Sequence, residues 1–283
     1  MGLRIGIDCG GTFTDFVCID ENGEIRDFKE SSTPDDFSRG VMVGLEKAAT
    51  DYGKSLESFL GGVDLIVHGT TVATNTVLTL TGAETGVITT AGFRDILEFR
   101  RGMKENTFDW REDFPKPLAP RHMRMEVPER VVHTGEVMLP LDEEAARVAV
   151  RKLKEKGVEA IAVCFLYSFL HPEHEERVGE IIQEEMPDAF VSLSCRVLPQ
   201  VREYERVSTT ALDAYVGPRL GTYLLSLDES LRKVGFKGTF LIMQSNGGTQ
   251  SRQEAASRPV TCLSSGPAAS VPAGMAVGEG AGK

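Results

Sequence analysis

Three apolar-rich runs open the chain, Leu3 to Cys9, Thr14 to Ile19 and Glu24 to Lys29, and they predict three strands. Two turns separate them. The first is Gly10-Gly11-Thr12; the second, Asp20-Glu21-Asn22-Gly23, ends in an Asn-Gly pair whose residues both tolerate positive φ, a strong hairpin signal. Three consecutive antiparallel strands therefore begin the fold. Beyond them the period changes: Phe37, Val41, Leu45 and Ala48 recur at helical spacing, behind Thr33 as cap and Pro34 at the first helical position. Leu65-Ile66-Val67 is a continuous apolar run of the kind buried on both faces, and Val72 to Leu80 reads as a helix. Gly86 to Thr89 reads as another buried strand and Phe93 to Phe99 as a short helix. A meander followed by alternating strand and helix predicts an α/β fold with a mixed sheet.

From Gly102 to Val132 the pattern lapses into a stretch rich in Pro, Arg and acids, punctuated by Pro115, Pro117, Pro120 and Pro128. An ordered loop of that length is usually functional or a domain crossing. A second α/β unit follows: a hairpin about Thr134-Gly135, a helix capped by Asp142 and running to Lys156, a buried strand from Ala160 to Phe165, a helix from Pro172 to Glu185, and a short strand from Phe190 to Leu193. A long helix spans Arg206 to Arg232, and Gly217-Pro218 is expected to kink or divide it. Thr239 to Met243 is a strand, and a helix-like stretch starts at Ala268. The expected regions are 1–100, a first lobe; 101–200, the irregular crossing and a second α/β unit; and 201–283, the long helix and the start of a second half.

Composition narrows the classes of function. The 283 residues can bury a substantial core, and 41% hydrophobic with 26% charged residues is ordinary for a folded domain. A formal net charge of −11 works against broad attraction to nucleic acid or anionic lipid. An anionic nucleotide is not excluded, because turn amides, helix ends and a divalent metal supply local positive potential. Cys9, Cys18, Cys164, Cys195 and Cys262 are scattered without C-x-x-C spacing, which argues against a zinc site or a disulfide framework. No apolar run approaches membrane-spanning length, so a cytoplasmic protein without nucleic-acid or membrane partners is expected.

The candidate chemistry starts at Asp8. A strand ending in a carboxylate and turning through Gly10 and Gly11 lets backbone N–H groups face an anion, because glycine permits close approach and unusual φ. Thr12 and Thr14 add hydroxyl donors, Asp8 can hold Mg²⁺ directly or through water, and Asp15 can orient that shell. An ordinary glycine hairpin with two solvated carboxylates accounts for the same residues. Further on, His68-Gly69-Thr70-Thr71 and Asn75 follow a central strand, where open α/β sheets bind ligands; a helix cap with His68 as neighbour is the alternative. Arg94-Asp95 and Arg100-Arg101 suit a carboxylate or form a solvated helix face. Ser245, Asn246, Gly247 and Gly248 make a second anion-binding turn or a plain tight turn, and Ser265-Gly266-Pro267 precedes a helix whose N-terminus can face a cleft. His171-Pro172-Glu173-His174-Glu175 resembles a metal motif, but Pro172 starts a helix and acids near a helix N-terminus need no metal.

Several of these strings occur together in a known family. GIDCGGTFTDFVCID from Gly6, HGTTVATNTVL from His68, ITTAGFRDILEFRRG from Ile88, and SNGG with LSSGPAAS from Ser245 and Leu263 resemble the hydantoinase A / 5-oxoprolinase family. PKPLAPRHMRMEVPERV and VREYERVSTTALDAYVGP are similar to it too, so the resemblance covers essentially the whole chain. It implies an actin-like, ribonuclease H-like ATPase lobe over residues 1–100, with Gly10, Gly11, Thr12 and Thr14 on phosphate, Asp8 on Mg²⁺, and Asp8, Asp15 and His68 in catalysis. Thr70, Thr71, Asn75, Arg94 and Ser245 to Gly248 are then candidate substrate contacts.

The implied reaction is opening of a cyclic amide driven by ATP and Mg²⁺, with a B-type partner subunit and homo-oligomers in the full protein. An ATP-dependent ketone carboxylase subunit, or a non-catalytic nucleotide- or sugar-binding module, shares the resemblance. Family members carry a second D-x-G-G-T-like turn soon after the SGPAAS-like segment, and no second copy occurs in these residues. The chain is therefore expected to be a truncated fragment that folds alone but hydrolyses little or no ATP.

Overall fold

A computed structural model describes residues 2–33, 35–102, 104, 106 and 108–280, the side chains at 276, 277, 279 and 280 excepted. In chain order the elements begin with β1 (Leu3–Cys9), β2 (Phe13–Ile19), β3 (Ile25–Ser31), α1 (Phe37–Asp51), α2 (Leu56–Leu60), β4 (Val63–Thr70) and α3 (Val72–Leu78). They continue with β5 (Thr85–Thr90), α4 (Ile96–Phe99), β6 (Arg124–Val127), β7 (Arg130–Val131), β8 (Val137–Leu139), α5 (Glu143–Glu155), β9 (Ala160–Cys164), α6 (Glu173–Glu185), β10 (Phe190–Leu193) and α7 (Ser194–Val197). The last are α8 (Glu203–Lys233), β11 (Thr239–Met243), β12 (Thr249–Ser251), α9 (Arg252–Ser257) and α10 (Ser265–Gly280).

Two compact units result, residues 1–81 with 219–283, and residues 82–218. This partition differs from three consecutive segments cut at 100 and 200. Long-range strand pairing is the reason: β11 returns to pair with β4, so the chain's end rejoins the unit that its beginning forms.

The first unit is built on a six-stranded sheet in the order β12-β11-β4-β1-β2-β3. β1, β2 and β3 are antiparallel neighbours, β4 runs parallel to β1, and β11 parallel to β4, so the sheet is mixed as expected. Alternation is clean in its first strands. Ile5, Ile7, Cys9, Thr14, Phe16 and Cys18 are buried, while Gly6, Asp8, Phe13, Asp15 and Val17 are exposed on the opposite face. α1 packs on the buried face so closely that a Cβ on Gly44 would stand 2.2 Å from the Phe16 ring, a contact only glycine allows. The C-terminal part of α8 contributes Leu220, Tyr223, Leu224 and Leu227 to the interior.

α1 starts later than its sequence signal. Asp36, not Thr33, is the cap, because its carboxylate accepts the Ser38 N–H at 3.1 Å; Thr33 Oγ1 instead accepts the Gly40 N–H at 3.0 Å. Pro34 lies outside the described residues.

The second unit has a four-stranded sheet, β10-β9-β5-β6, all parallel. Its central strands are buried on both faces, which explains their unbroken apolar runs. On β9, Ile161 and Val163 pack with α5 and α6, while Ala160, Ala162 and Cys164 pack with Val207, Ala211 and Ala214 of α8. Asp142 caps α5 by accepting the Ala145 N–H, and the β7–β8 hairpin turns at Gly135 with φ of 86°. Pro218 does not divide α8, which runs unbroken through 31 residues; the boundary between the units falls at this proline instead. β6 emerges inside the stretch that shows no pattern in sequence, because a four-residue strand carries too few positions to show a period.

Candidate functional site

Register across the first sheet sets one row of side chains. Lys29 on β3 faces Asp15 on β2, Asp15 faces Asp8 on β1, and Asp8 faces Gly69 on β4. Lys29 Nζ lies 2.6 Å from Asp15 Oδ1 in an exposed ion pair. Asp8 is left without a hydrogen bond or ion pair to any described residue, and a Cβ on Gly69 would stand only 3.4 Å from its Oδ1. Desolvation by the surrounding protein, and secondly the charge of Asp15, push the Asp8 carboxyl above the ordinary carboxylate value. The position is one that a cation would relieve.

The turn beyond Asp8 is tight. Gly10 N–H donates to Phe13 O at 3.0 Å, and a Cβ on Gly10 would stand 2.9 Å from that same oxygen, so glycine is required. The N–H groups of Gly11 and Thr12 are exposed and have no acceptor among the described residues. Thr71 secures the turn from the side, its N–H and Oγ1 both donating to Cys9 O at 3.0 and 3.2 Å. Asn75 Nδ2 donates to Thr71 Oγ1 at 3.1 Å and lies against Gly11, where a Cβ would approach it to 3.1 Å.

Two further segments join this end of the sheet. Ser264, with φ of 56°, donates its N–H to Thr74 Oγ1 at 3.3 Å, and Ser265 Oγ donates to Thr70 O at 3.4 Å, which sets the start of α10 beside that of α3. The turn between β11 and β12 is closed by Gln244 N–H to Gly248 O, by Gly248 N–H to Asn246 Oδ1 at 2.8 Å, and by Ser245 N–H to Thr261 O. Gly247 lies close to Ala268 O and Pro272 of α10. Gly10, Gly11, Thr12, Thr71, Asn75 and Ser245 to Gly248 therefore border one end of a single unit, linked through α3 and α10.

Four candidates stand elsewhere. His68 pairs with Ile7 in register, so it faces away from Asp8 and is fully buried. Its Nε2 is 2.7 Å from the Tyr223 hydroxyl, and burial pulls its pKa from the ordinary 6.5 down to about 3. Such a histidine is neutral and inaccessible to substrate. Thr14 also faces the interior, with Oγ1 3.0 Å from Ser32 Oγ, which in turn donates to Gly10 O at 2.7 Å. It braces the turn from beneath. Thr70 is buried too, its Oγ1 accepting the Val72 N–H. Arg94 belongs to the second unit, 3.7 Å from Glu126.

Alternation of Thr14 with Phe16 and Cys18 already signals its buried side. Lys29, Ser32 and Tyr223 were missed because only cross-strand or tertiary partners reveal them. Among the described residues no group of three or more His, Cys, Asp or Glu is close enough to hold a metal by itself. None of the described helices is long and apolar enough to cross a membrane.

The neutral His68 carries a linkage. The folded state refuses a proton that the unfolded chain accepts, so its contribution to stability is full above pH 6.5 and is lost as pH falls toward about 3. Urea denaturation should show this loss beginning below pH 6.5 and approaching about 1.4 kcal/mol per pH unit near pH 5, and His68→Phe should flatten that segment. An unchanged slope in the variant would locate the proton uptake at another group.

The profile of the hydantoinase/oxoprolinase N-terminal region matches residues 4–186, and that of hydantoinase/oxoprolinase matches residues 206–283. The chain belongs to the hydantoinase/oxoprolinase family. Within that family it is 37% identical to caprolactamase subunit alpha of Pseudomonas jessenii over 98% of this chain and 40% of the relative. The crystal structure of the ATP-dependent caprolactamase of that organism superposes with a TM-score of 0.91 over 99% of this chain and 41% of the other, at 37% identity. A nucleotide-free acetone carboxylase superposes with a TM-score of 0.90 at 29% identity, over 99% of this chain and 41% of the other. The hydantoinase/oxoprolinase chain described here thus spans about two fifths of the length of these relatives. Its α/β architecture with a mixed sheet is theirs.

Proposed function

We propose that this chain is the phosphate-binding part of an ATP-dependent enzyme that opens a cyclic amide. The observation that carries the reading is the turn after β1, where a glycine-only bend leaves the Gly11 and Thr12 amides open beside an unpaired carboxylate. Both features fit an anion with a divalent cation: free amides suit phosphate oxygens, and a carboxylate with waters and phosphates suits Mg²⁺. Bound ATP with Mg²⁺ supplies the phosphoryl group that makes a poor amide oxygen reactive. The chain's own residues do the positioning. Gly11, Thr12 and the Thr12 hydroxyl bind phosphate, Asp8 holds Mg²⁺ directly or through water, and Asp15, fixed by Lys29, orients the surrounding water.

His68 and Thr14 act from the buried face as positioning residues and do not touch substrate. Asn75 and Thr71 hold the turn's shape, and the turn of Ser245 to Gly248, whose Ser245, Gly247 and Gly248 N–H groups are engaged within the protein, borders the same end with the α10 start. Cyclic-amide opening is supported by the 37% identity to caprolactamase over 98% of this chain. The carboxylase reading keeps support from the equally close superposition, a TM-score of 0.90.

The full-length protein, assembled with a B-type partner subunit, should consume ATP in step with the opening of a lactam, hydantoin or 5-oxoproline. Bicarbonate-dependent consumption of a ketone, with no ring opening, would overturn the amide reading in favour of the carboxylase.

A further inference from the structure

The second unit contains a cleft of about 490 Å³ at the start of α8, lined by Phe93, Ile96, Arg100, Arg101, Arg202 and Tyr204 together with two glutamates. Its arginines are not equivalent. Arg101 is engaged by Glu205 in an ion pair and a hydrogen bond. Arg100 donates through Nε to the Tyr204 hydroxyl at 3.1 Å, which leaves its terminal nitrogens without an acceptor among the described residues. The Arg202 carbonyl accepts the Arg206 N–H at 3.3 Å, while its guanidinium, whose charge acts on Glu205, makes no hydrogen bond or ion pair within 4 Å to a described residue. Two guanidinium groups therefore remain open in one cleft.

The backbone adds a second, independent observation. Arg100 has φ of 54° and Arg202 φ of 84°, in the region that side-chain-bearing residues rarely adopt. Glycine is at ease in such conformations, yet arginine stands at both, and strain of this kind clusters at ligand clamps. Both residues, moreover, flank the cleft from separate loops. The N-terminal turn of a 31-residue helix closes the same cleft; it carries Glu203 and Glu205, and the positive end of its dipole favours negative charge. Phe93 and Ile96 supply an apolar wall, which suits a ligand with an aliphatic body more than a compact inorganic anion.

From this geometry we infer that the Arg100–Arg202 cleft is a binding site for a small aliphatic carboxylate, with the two open guanidinium groups on the carboxylate and Phe93 and Ile96 on the chain. The site does not depend on the proposed reaction, because it is defined by binding alone. Planar, bidentate donors match a carboxylate's two oxygens.

The test is titration of the 283-residue chain with pentanoate and, separately, with inorganic phosphate, followed by NMR or calorimetry. Pentanoate should bind saturably, and phosphate should compete poorly. Arg202→Gly should weaken pentanoate by about tenfold while raising the melting temperature, since glycine relieves the backbone and the guanidinium is what the ligand needs. Arg101→Lys, which keeps a cation beside Glu205, should leave the affinity within about twofold. Absence of saturable pentanoate binding, phosphate competing as well as pentanoate, or Arg202→Gly binding as tightly as the unaltered chain would each overturn the assignment. A melting temperature lowered by Arg202→Gly would remove the strain argument and, with unchanged binding, the site itself.

Discussion

In the full-length protein, Asp8→Asn should lower ATP-coupled turnover by at least about a hundredfold while making the fold slightly more stable at neutral pH. The two effects have one origin. Asp8 lies one residue before the end of β1, facing Asp15 across the sheet and packed over Gly69, unpaired, and partial desolvation and then the neighbouring charge raise its pKa. A carboxyl whose folded pKa is raised opposes folding when ionised. That penalty is full above the raised pKa and vanishes below the ordinary carboxylate value, where both folded and unfolded chains are protonated. Removing the charge at pH 7 should therefore stabilise the fold slightly, and the gain should disappear as pH falls below the ordinary carboxylate value.

The same unpaired charge is what a cation would require, so the site keeps it at a cost to stability. Asparagine preserves shape and nearly all hydrogen-bonding geometry, so nucleotide affinity should fall far less than turnover. Steady-state ATPase with ring-opening assays, alongside chemical denaturation at two pH values, reads both effects. Retained turnover would remove Asp8 from the mechanism, and an unaltered protein that binds nucleotide but never turns it over would instead indicate a sensing module.

How far these features are legible in sequence depends on how local their causes are. The strand–turn–strand of Leu3 to Ile19, the Asp142 cap and the Thr134-Gly135 hairpin are decided by neighbours within a few residues, and the structure places them where the pattern does. The capping box of Ser251 and Glu254, which starts α9, was equally local and open to reading. Facing is a different matter. His68 stands next to Gly69 in the chain, yet parity puts one under the sheet and the other beside Asp8, and only the pairing of β4 with β1 determines which is which. Likewise, Lys29 is a plain surface lysine until β3 pairs with β2 and brings it to Asp15. Pro218 reads as a break because a proline lacks an N–H, but packing on both sides of it holds α8 continuous. The separation of Arg94 from the Asp8 row depends on a unit boundary at residue 81, which no local signal marks.

Glu175→Ala should destabilise the second unit by about 3–5 kcal/mol, the largest stability effect expected of a single substitution in this chain. In sequence this glutamate sits inside a motif that looks metal-binding, yet its carboxylate is wholly occupied by protein donors. Oε1 accepts from Phe165 N–H at 2.7 Å and from Ser194 Oγ at 2.6 Å, Oε2 accepts from Cys195 N–H at 2.8 Å, and the Arg206 guanidinium lies 3.6 Å from Oε1. Both charged side chains are fully buried. Arg206 also donates to Phe165 O and Ser194 Oγ, at 2.5 and 2.6 Å, and to Ser168 Oγ, which ties α6, α7 and α8 to the end of β9.

Truncating the acid therefore leaves a buried guanidinium, the buried Phe165 N–H and the half-buried Cys195 N–H without it at once, and the lost satisfaction dominates over the small cavity. Glu175→Gln keeps the volume and one acceptor oxygen but turns an NH2 donor toward one of the two N–H groups and loses the charge, so its cost should be smaller than that of alanine but not negligible. The double variant Glu175→Gln with Arg206→Met removes both charges and should recover part of the loss, because the penalty lies in the unpaired partner more than in the pair. Urea denaturation of the three variants measures this directly. A loss below about 1 kcal/mol for Glu175→Ala would mean that water replaces the carboxylate and that the cluster does not hold the unit together.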